Sequence, residues 1–289
     1  MGGRSAGLLL LVVTTAGWAL NWPGMKILLR EWPPLASRGV AGVVAGLILA
    51  ALAWRAGEKL SVPREAVPRL LFATFTNVVA WMGFGTLCMV WLRVSEGALL
   101  IYSMALWATL LAWPLLGTPP TLRQGAALVL GFGGIGVLLG GDGFSLGAEK
   151  LPGILFALGA AVFFALGAVL NRKPLPISPM TSAAWQVGLG CLPMLAWGFL
   201  VERPSWGDLT PAGWGVLIYM TLVPMGLCYV TWFETLRRLP PQTAATGTLL
   251  VPLFGVISAA VWIGEPLGWR EAVAMALVLG GVTLALRKA

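Results

Sequence analysis

Residues 122–139 read LRQGAALVLGFGGIGVLL, and 147 positions later residues 269–286 read WREAVAMALVLGGVTLAL. Each follows an apolar run that ends in a Gly-x-Pro corner, Gly117-Thr118-Pro119 in the first case and Gly264-Glu265-Pro266 in the second. The offset is about half of the 289 residues, so the chain reads as one unit written twice. A unit with an odd number of membrane crossings must enter the bilayer upside down the second time. Inverted repeats of that kind are a hallmark of alternating-access transporters.

Composition points to the same solvent. Hydrophobic residues make up 58% of the chain and charged residues 10%, with a mean hydropathy of +0.87. A soluble domain carries roughly a quarter charged residues, because its surface must face water. The 38 glycines and 20 prolines then indicate close helix packing and broken helices rather than loops. Ten charge-free runs can be traced, from Gly7–Met25 to Ala272–Leu286. None shows the alternation of a membrane β-strand, and most approach the roughly 17–25 residues of a spanning helix. The expected fold is therefore an all-α membrane protein with ten transmembrane helices in two five-helix inverted repeats, residues 1–143 and 144–289. Arg4 precedes the first apolar run as in a signal peptide. Asn21-Trp22-Pro23 follows it, however, without a small-x-small cleavage site, so the run is read as retained. Cys88, Cys191 and Cys228 lie in apolar runs without partner spacing and read as packing residues, not as disulfides or metal ligands.

Loop charges set the orientation. With the N-terminus in the cytoplasm, twelve Lys and Arg fall on the inner loops and six on the outer, or seven with Arg38. The positive-inside rule then places both termini in the cytoplasm. The net charge of +8 therefore speaks of membrane orientation and not of a nucleic-acid partner. Tryptophans near run ends, among them Trp32, Trp54, Trp91, Trp113, Trp206, Trp214, Trp262 and Trp269, suit an interfacial belt.

Several residues resemble one family. Ala16-Gly17-Trp18-Ala19-Leu20-Asn21 resembles the opening Trp-Gly-x-Asn helix of the drug/metabolite transporter superfamily, in its ten-helix exporters with two EamA-type repeats, and Val162–Gly167 is the matching stretch of the second repeat. Pro252 followed by Gly264-Glu265-Pro266-Leu267 resembles the family's Pro…Gly-Glu-x-Leu signature. The first repeat departs from it, with Ala105 and Thr118 at the aligned positions. The texture is most similar to the bacterial aromatic amino-acid exporter group. The resemblance implies a multi-pass protein of the bacterial inner membrane that exports amino acids or related metabolites. It also implies a central cavity lined by the first, third, fourth, sixth, eighth and ninth helices, with the fifth and tenth as outer braces.

Cavity residues should be near the midplane and too polar or aromatic for lipid. Trp18 and Asn21 share a face of the first run; Asn77, Trp81 and Phe84 form a stripe in the third; Phe164, Gly167 and Asn171 share a face of the sixth, beside Phe163. Tyr102 lies in the outer part of the fourth run, and Tyr229 and Trp232 share a face of the eighth. Aromatic walls would bind apolar or aromatic side chains, and Asn amides with broken-helix ends would receive a zwitterion without a full buried charge. The same aromatics would serve equally as packing between helices. Trp185 and Gln186 read as packing or interface residues. Pro23, Gly24, Pro224 and Pro252 read as hinges or as static kinks. Gly42-x-x-x-Gly46 and Gly136-x-x-x-Gly140 read as faces of close helix approach.

Absences narrow the chemistry. Glu234 precedes Arg238 by four residues and reads as a helical salt bridge at the headgroups. No Lys or Arg is expected at the midplane, which disfavours sugar phosphates and leaves neutral or zwitterionic substrates. The chain has no histidine, so it holds no Ser-His triad or HExxH zinc site. Gly131-x-Gly133-x-x-Gly136 lies inside an apolar run with no preceding strand, unlike a dinucleotide fingerprint. The reading is therefore a non-enzymatic exporter or facilitator of aromatic and other neutral amino acids. It would need no cofactor or metal, and it would be functional as a monomer. A lipid or polyprenyl-carrier flippase is the alternative.

Overall fold

The computed structural model describes residues 3–140, 149–171, 173–240, 243–244 and 247–286. Among these it is helical throughout: α1 (Gly3–Leu28), α2 (Pro34–Arg55), α3 (Arg64–Cys88), α4 (Val94–Leu116), α5 (Leu122–Leu139), α6 (Leu151–Leu170), α7 (Pro179–Glu202), α8 (Pro211–Arg238), α9 (Leu250–Ile263) and α10 (Trp269–Leu286). α1 to α8 are long and apolar enough to cross a membrane, and α9 is a shorter apolar helix. The expected repeat boundary at 143/144, together with Arg172, Arg287 and Lys288 of the charge count, lies outside the described residues.

Local chemistry fixes where the rods begin. α2, α7 and α8 each start on proline, which lacks the N–H that a helix start leaves unpaired and whose ring presets φ. Ser178 and Thr210 then cap α7 and α8 through their hydroxyls, accepting from the N–H groups of Thr181 and Gly213 at 3.1 and 3.2 Å. Both repeats end their fourth helix the same way. Gly117 (φ 66°) closes α4 and Gly264 (φ 68°) closes α9 in the left-handed region, where a Cβ is strained. The repeated Gly-x-Pro corner is thus one turn built twice.

Helix contacts follow the repeat. α2 packs along α7, α5 along α10, α1 against α8 and α9, and α6 against α3 and α4. Exchanging the halves (α1 for α6, α2 for α7, and so on) returns the same set of pairs, as a pseudo-two-fold axis requires. α5 and α10 meet the rest mainly through α4, the bracing position the resemblance implied. Their close approach uses Gly134 against Leu277, Val278 and Ala274, and Gly281 against Ala127 and Gly131. Gly136 faces open space, so the expected Gly136-x-x-x-Gly140 face is not the one used.

Two ends can be told apart. At the basic end, Arg69 donates to the Lys173 carbonyl, Glu58 receives the Ser178 hydroxyl, and Gly7 of α1 lies against Arg238 and Leu239. At the far end, the Lys26 ammonium donates to the Met89 carbonyl at 2.7 Å and the Trp32 indole to the Ser205 carbonyl at 2.8 Å. Glu234 pairs with Arg238, as expected, and also with Arg237 at 3.0 Å.

Candidate functional site

Two repeat-related helices lose their α-helical register where they face the interior. α3 is a π-helix over Phe75–Phe84, and α8 over Val223–Leu227. In α8 the cause is Pro224, which has no N–H to offer the preceding turn. The loosened backbone finds a partner across the bundle, since the Trp18 indole N–H donates to the Pro224 carbonyl at 3.1 Å. The Tyr219 hydroxyl returns the link to the Gly17 carbonyl at 2.8 Å. Short π stretches of this kind recur at functional sites because they re-aim side chains.

Between these helices is a cavity of about 660 Å³, within the roughly 300–1,000 Å³ of small-molecule sites. One wall is Trp18 with Tyr229 and Trp232, at ring-centroid separations of 6.4 and 5.6 Å. The facing wall is Trp81 with Phe164, at 4.6 Å. Trp18 and Phe164 occupy matching positions of the two opening helices, so the walls are related by the internal symmetry. Tyr102 joins Trp81 to Trp22 at 5.9 and 6.3 Å and closes the far end together with the buried Met25 and Ile101. Lys173 and Pro174, both exposed, line the mouth at the basic end.

The expected residues divide cleanly. Trp18, Asn21, Asn77, Trp81, Tyr102, Phe164, Tyr229 and Trp232 line this cavity, as does Pro224 among the expected hinges. Phe84 and Phe163 do not. They pack with Phe75 and Phe156 between α3 and α6, at 5.2 to 6.2 Å. Pro23 and Gly24 are buried within a continuous α1, and Pro252 is buried within α9.

Among the lining residues that the sequence does not place in the cavity, three bear on its chemistry. Gln186 is not an interface residue: it faces the cavity and accepts from the Asn77 amide at 2.8 Å, then passes its own N–H to Ser182 at 2.8 Å. Its signal was present, an amide inside an apolar run across from another amide. Met25 also lines the closed end. The third is Arg38, and it corrects an expectation. The charge count admits it at most as an outer-loop residue, yet it is 4% exposed and lines the cavity. α3, α7 and α8 pack against α2, and Arg38 itself reaches Thr86 of α3 and Met25 of α1, so a cation does sit inside the bundle.

Beyond the closed end lies a lattice of charges. Lys150 bonds Glu96 at 2.6 Å and Arg93 bonds Glu271 at 3.4 Å. The Glu265 carboxylate accepts the Val94 N–H at 2.8 Å, so a second-repeat loop caps the first-repeat helix α4. Burial raises the Glu265 pKa above the ordinary carboxylate value, against the pull of the Val94 N–H and Lys26.

Comparison with known proteins agrees with this architecture. The profile of the EamA-like transporter family matches residues 5–140 and again residues 151–287. The uncharacterised transporter YvbV of Bacillus subtilis (strain 168) is 26% identical over 96% of this chain and 90% of its own length. A probable amino-acid metabolite efflux pump of Salmonella typhimurium is 27% identical over 96% of this chain and 94% of its own. Its Escherichia coli K12 namesake is 25% identical over the same shares. One solved crystal structure shares the fold at a TM-score of 0.66, with 20% identity over 98% of this chain and 96% of that one.

Proposed function

The chain belongs to the EamA-like transporter family, and on that footing we propose that it exports neutral amino acids with aromatic or large apolar side chains. The observation that carries this reading is the pair of facing aromatic walls with amides between them, closed at one end and open at the other. Aromatic side chains bind by burial and edge-to-face contact. The Asn77–Gln186 pair offers polar partners without adding a charge. The names of the Salmonella and E. coli relatives support the substrate class.

In this reading all ten helices cross the bacterial inner membrane, in five-helix halves divided near residue 143. The basic end, with Arg55, Arg64, Arg69, Lys173, Arg237 and Arg238, faces the cytoplasm with both termini. The cavity would then be open to the cytoplasm and sealed outside, the state that loads substrate for export. Rocking of the repeat-related helices about the site would open the other end, and one copy would suffice.

Uptake of labelled phenylalanine, threonine and a nucleotide sugar into liposomes holding the purified protein, with and without a proton gradient, tests this. Amino-acid flux sensitive to Trp81→Ala or Asn77→Ala supports the reading, and the gradient arm assigns the energy coupling. Absence of flux for any amino acid overturns it in favour of a lipid-carrier substrate.

A further inference from the structure

Arg38 is the one group lining the closed end of the cavity that a site for uncharged solutes does not use. A guanidinium carries five N–H donors. Its Nε–H donates to Thr86 Oγ1 at 2.8 Å, and one Nη2 hydrogen goes to Met25 Sδ at 3.1 Å, a weak acceptor. Five less these two leaves three donors without an acceptor among the described residues. No ion pair among the described residues includes Arg38. Neighbouring cations at the far end are matched: Lys150 and Arg93 hold carboxylates, and Lys26 holds a carbonyl. An unpaired charge buried in a membrane bundle is unfavourable and is characteristically found where a ligand or ion meets it.

A second unsatisfied group lines the same cavity. Asn21 lines the cavity, and its Oδ1, tucked away from the open space, receives no hydrogen bond among the described residues; rotation of the amide would bring that acceptor to the lining. Asn21 precedes Met25, the Arg38 contact, by four residues of α1, about 6 Å along the axis. One cavity end therefore holds a donor fork seeking an anion and, a turn away, an acceptor seeking an N–H. The other cation on the lining, Lys173, is exposed at the mouth, so a single guanidinium serves this end and suits a monoanion.

We propose that Arg38 is the carboxylate anchor of the cavity and that Asn21 Oδ1 accepts from the ammonium of the same ligand. The site then selects carboxylate-bearing solutes, α-amino acids among them, over their amides. Fork-shaped donors match a carboxylate in two parallel bonds, and a desolvated donor set left empty penalises a ligand that lacks the acceptor. The inference rests on the cavity being the substrate site, but not on any particular side chain being carried.

The test uses the full purified chain. Binding of L-phenylalanine, L-phenylalaninamide and 3-phenylpropanoate is measured by thermal stabilisation in detergent and by exchange in liposomes. The two carboxylates should bind about tenfold tighter or more than the amide. Arg38→Gln should bring that ratio to near one without lowering the thermal midpoint of the ligand-free protein, because it removes an unpaired charge. A structural arginine would do the reverse. Arg38→Lys should keep part of the preference, and Asn21→Ala should weaken phenylalanine but not 3-phenylpropanoate. Wild type without a carboxylate preference, including no response to any of the three, overturns the proposal, as does Arg38→Gln that retains the preference. If Arg38→Gln does not fold, wild type and Arg38→Lys decide. A carboxylate preference with no amino-acid flux would keep the Arg38 assignment and overturn the amino-acid reading. Flux without the preference would do the opposite.

Discussion

The seam between α2 and α7 and the cavity walls built by α1, α3, α6 and α8 are made from the same repeat, yet they solve opposite problems. In the seam, small residues face each other. A Cβ on Gly46 would lie 2.7 Å from the Gly188 backbone, and one on Gly42 would meet Cys191. The seam is locked at both ends by carboxylates in a reciprocal pattern. Glu202, ending α7, accepts the Leu35 and Ala36 N–H groups at 3.1 and 2.8 Å and so caps α2. Glu58, just past α2, receives the hydroxyls of Ser178 and Thr181 at the start of α7. In the cavity walls the helices are instead held apart by large rings, and α3 and α8 relax into π register in mid-helix, whereas α7 does so only in its last turn, Gly198–Glu202. Backbone contact with capped ends gives a rigid post, while loosened helices around a space can move. In the proposed alternating-access cycle the seam would be the pivot and the walls the part that flexes.

Four measurements would break or sharpen that contrast. Gly46→Leu should have the largest effect. It drives a side chain into backbone that cannot retreat, costing more than about 3 kcal/mol, and little monodisperse protein should survive size-exclusion chromatography. Normal recovery would mean that the seam yields and is not a post. Trp81→Ala should be next, cutting phenylalanine flux about tenfold or more while lowering the thermal midpoint far less than Gly46→Leu, since Trp81 is only half-buried beside open space. A variant that unfolds instead would make Trp81 a packing residue. Glu202→Ala should remove a helix cap worth about 1 kcal/mol, visible as a lower melting midpoint with little change in flux. Equal loss of flux and stability would tie the cap to the transport cycle.

The smallest effect concerns pH. Burial raises the folded-state pKa of Glu265 above its unfolded value of about 4.3. Its stabilising contribution is therefore fully present below that value and lost as pH rises through the folded pKa. Against the non-titrating Glu265→Gln, wild type should lose relative thermal stability as pH rises from below about 4.3 through the raised folded-state pKa. A slope of the opposite sign would show that the Val94 N–H and Lys26 outweigh burial.

Much of the site was legible because transporters place unlipid-like residues inside. Trp18, Asn21, Asn77 and Trp81 stand out in runs otherwise apolar, and a helical period puts them on faces. The same period misplaced Phe84. The stripe Asn77, Trp81, Phe84 assumes an α-helix throughout, but the π register of Phe75–Phe84 adds a residue to the turn and rotates Phe84 toward Phe156 and Phe163. No proline announces that change in α3. Arg38 was not legible for another reason: neighbouring helices that close over a helix start leave no trace in its own sequence.

The repeat, the helical class and the left-handed glycine corners were determined by the sequence itself, because hydropathy, proline and glycine act on their own few residues. Which aromatics face the cavity, which end is shut, and that one arginine is buried without a counter-charge among the described residues were decided only by tertiary structure. Those properties depend on what stands opposite, and what stands opposite comes from the other half of the chain.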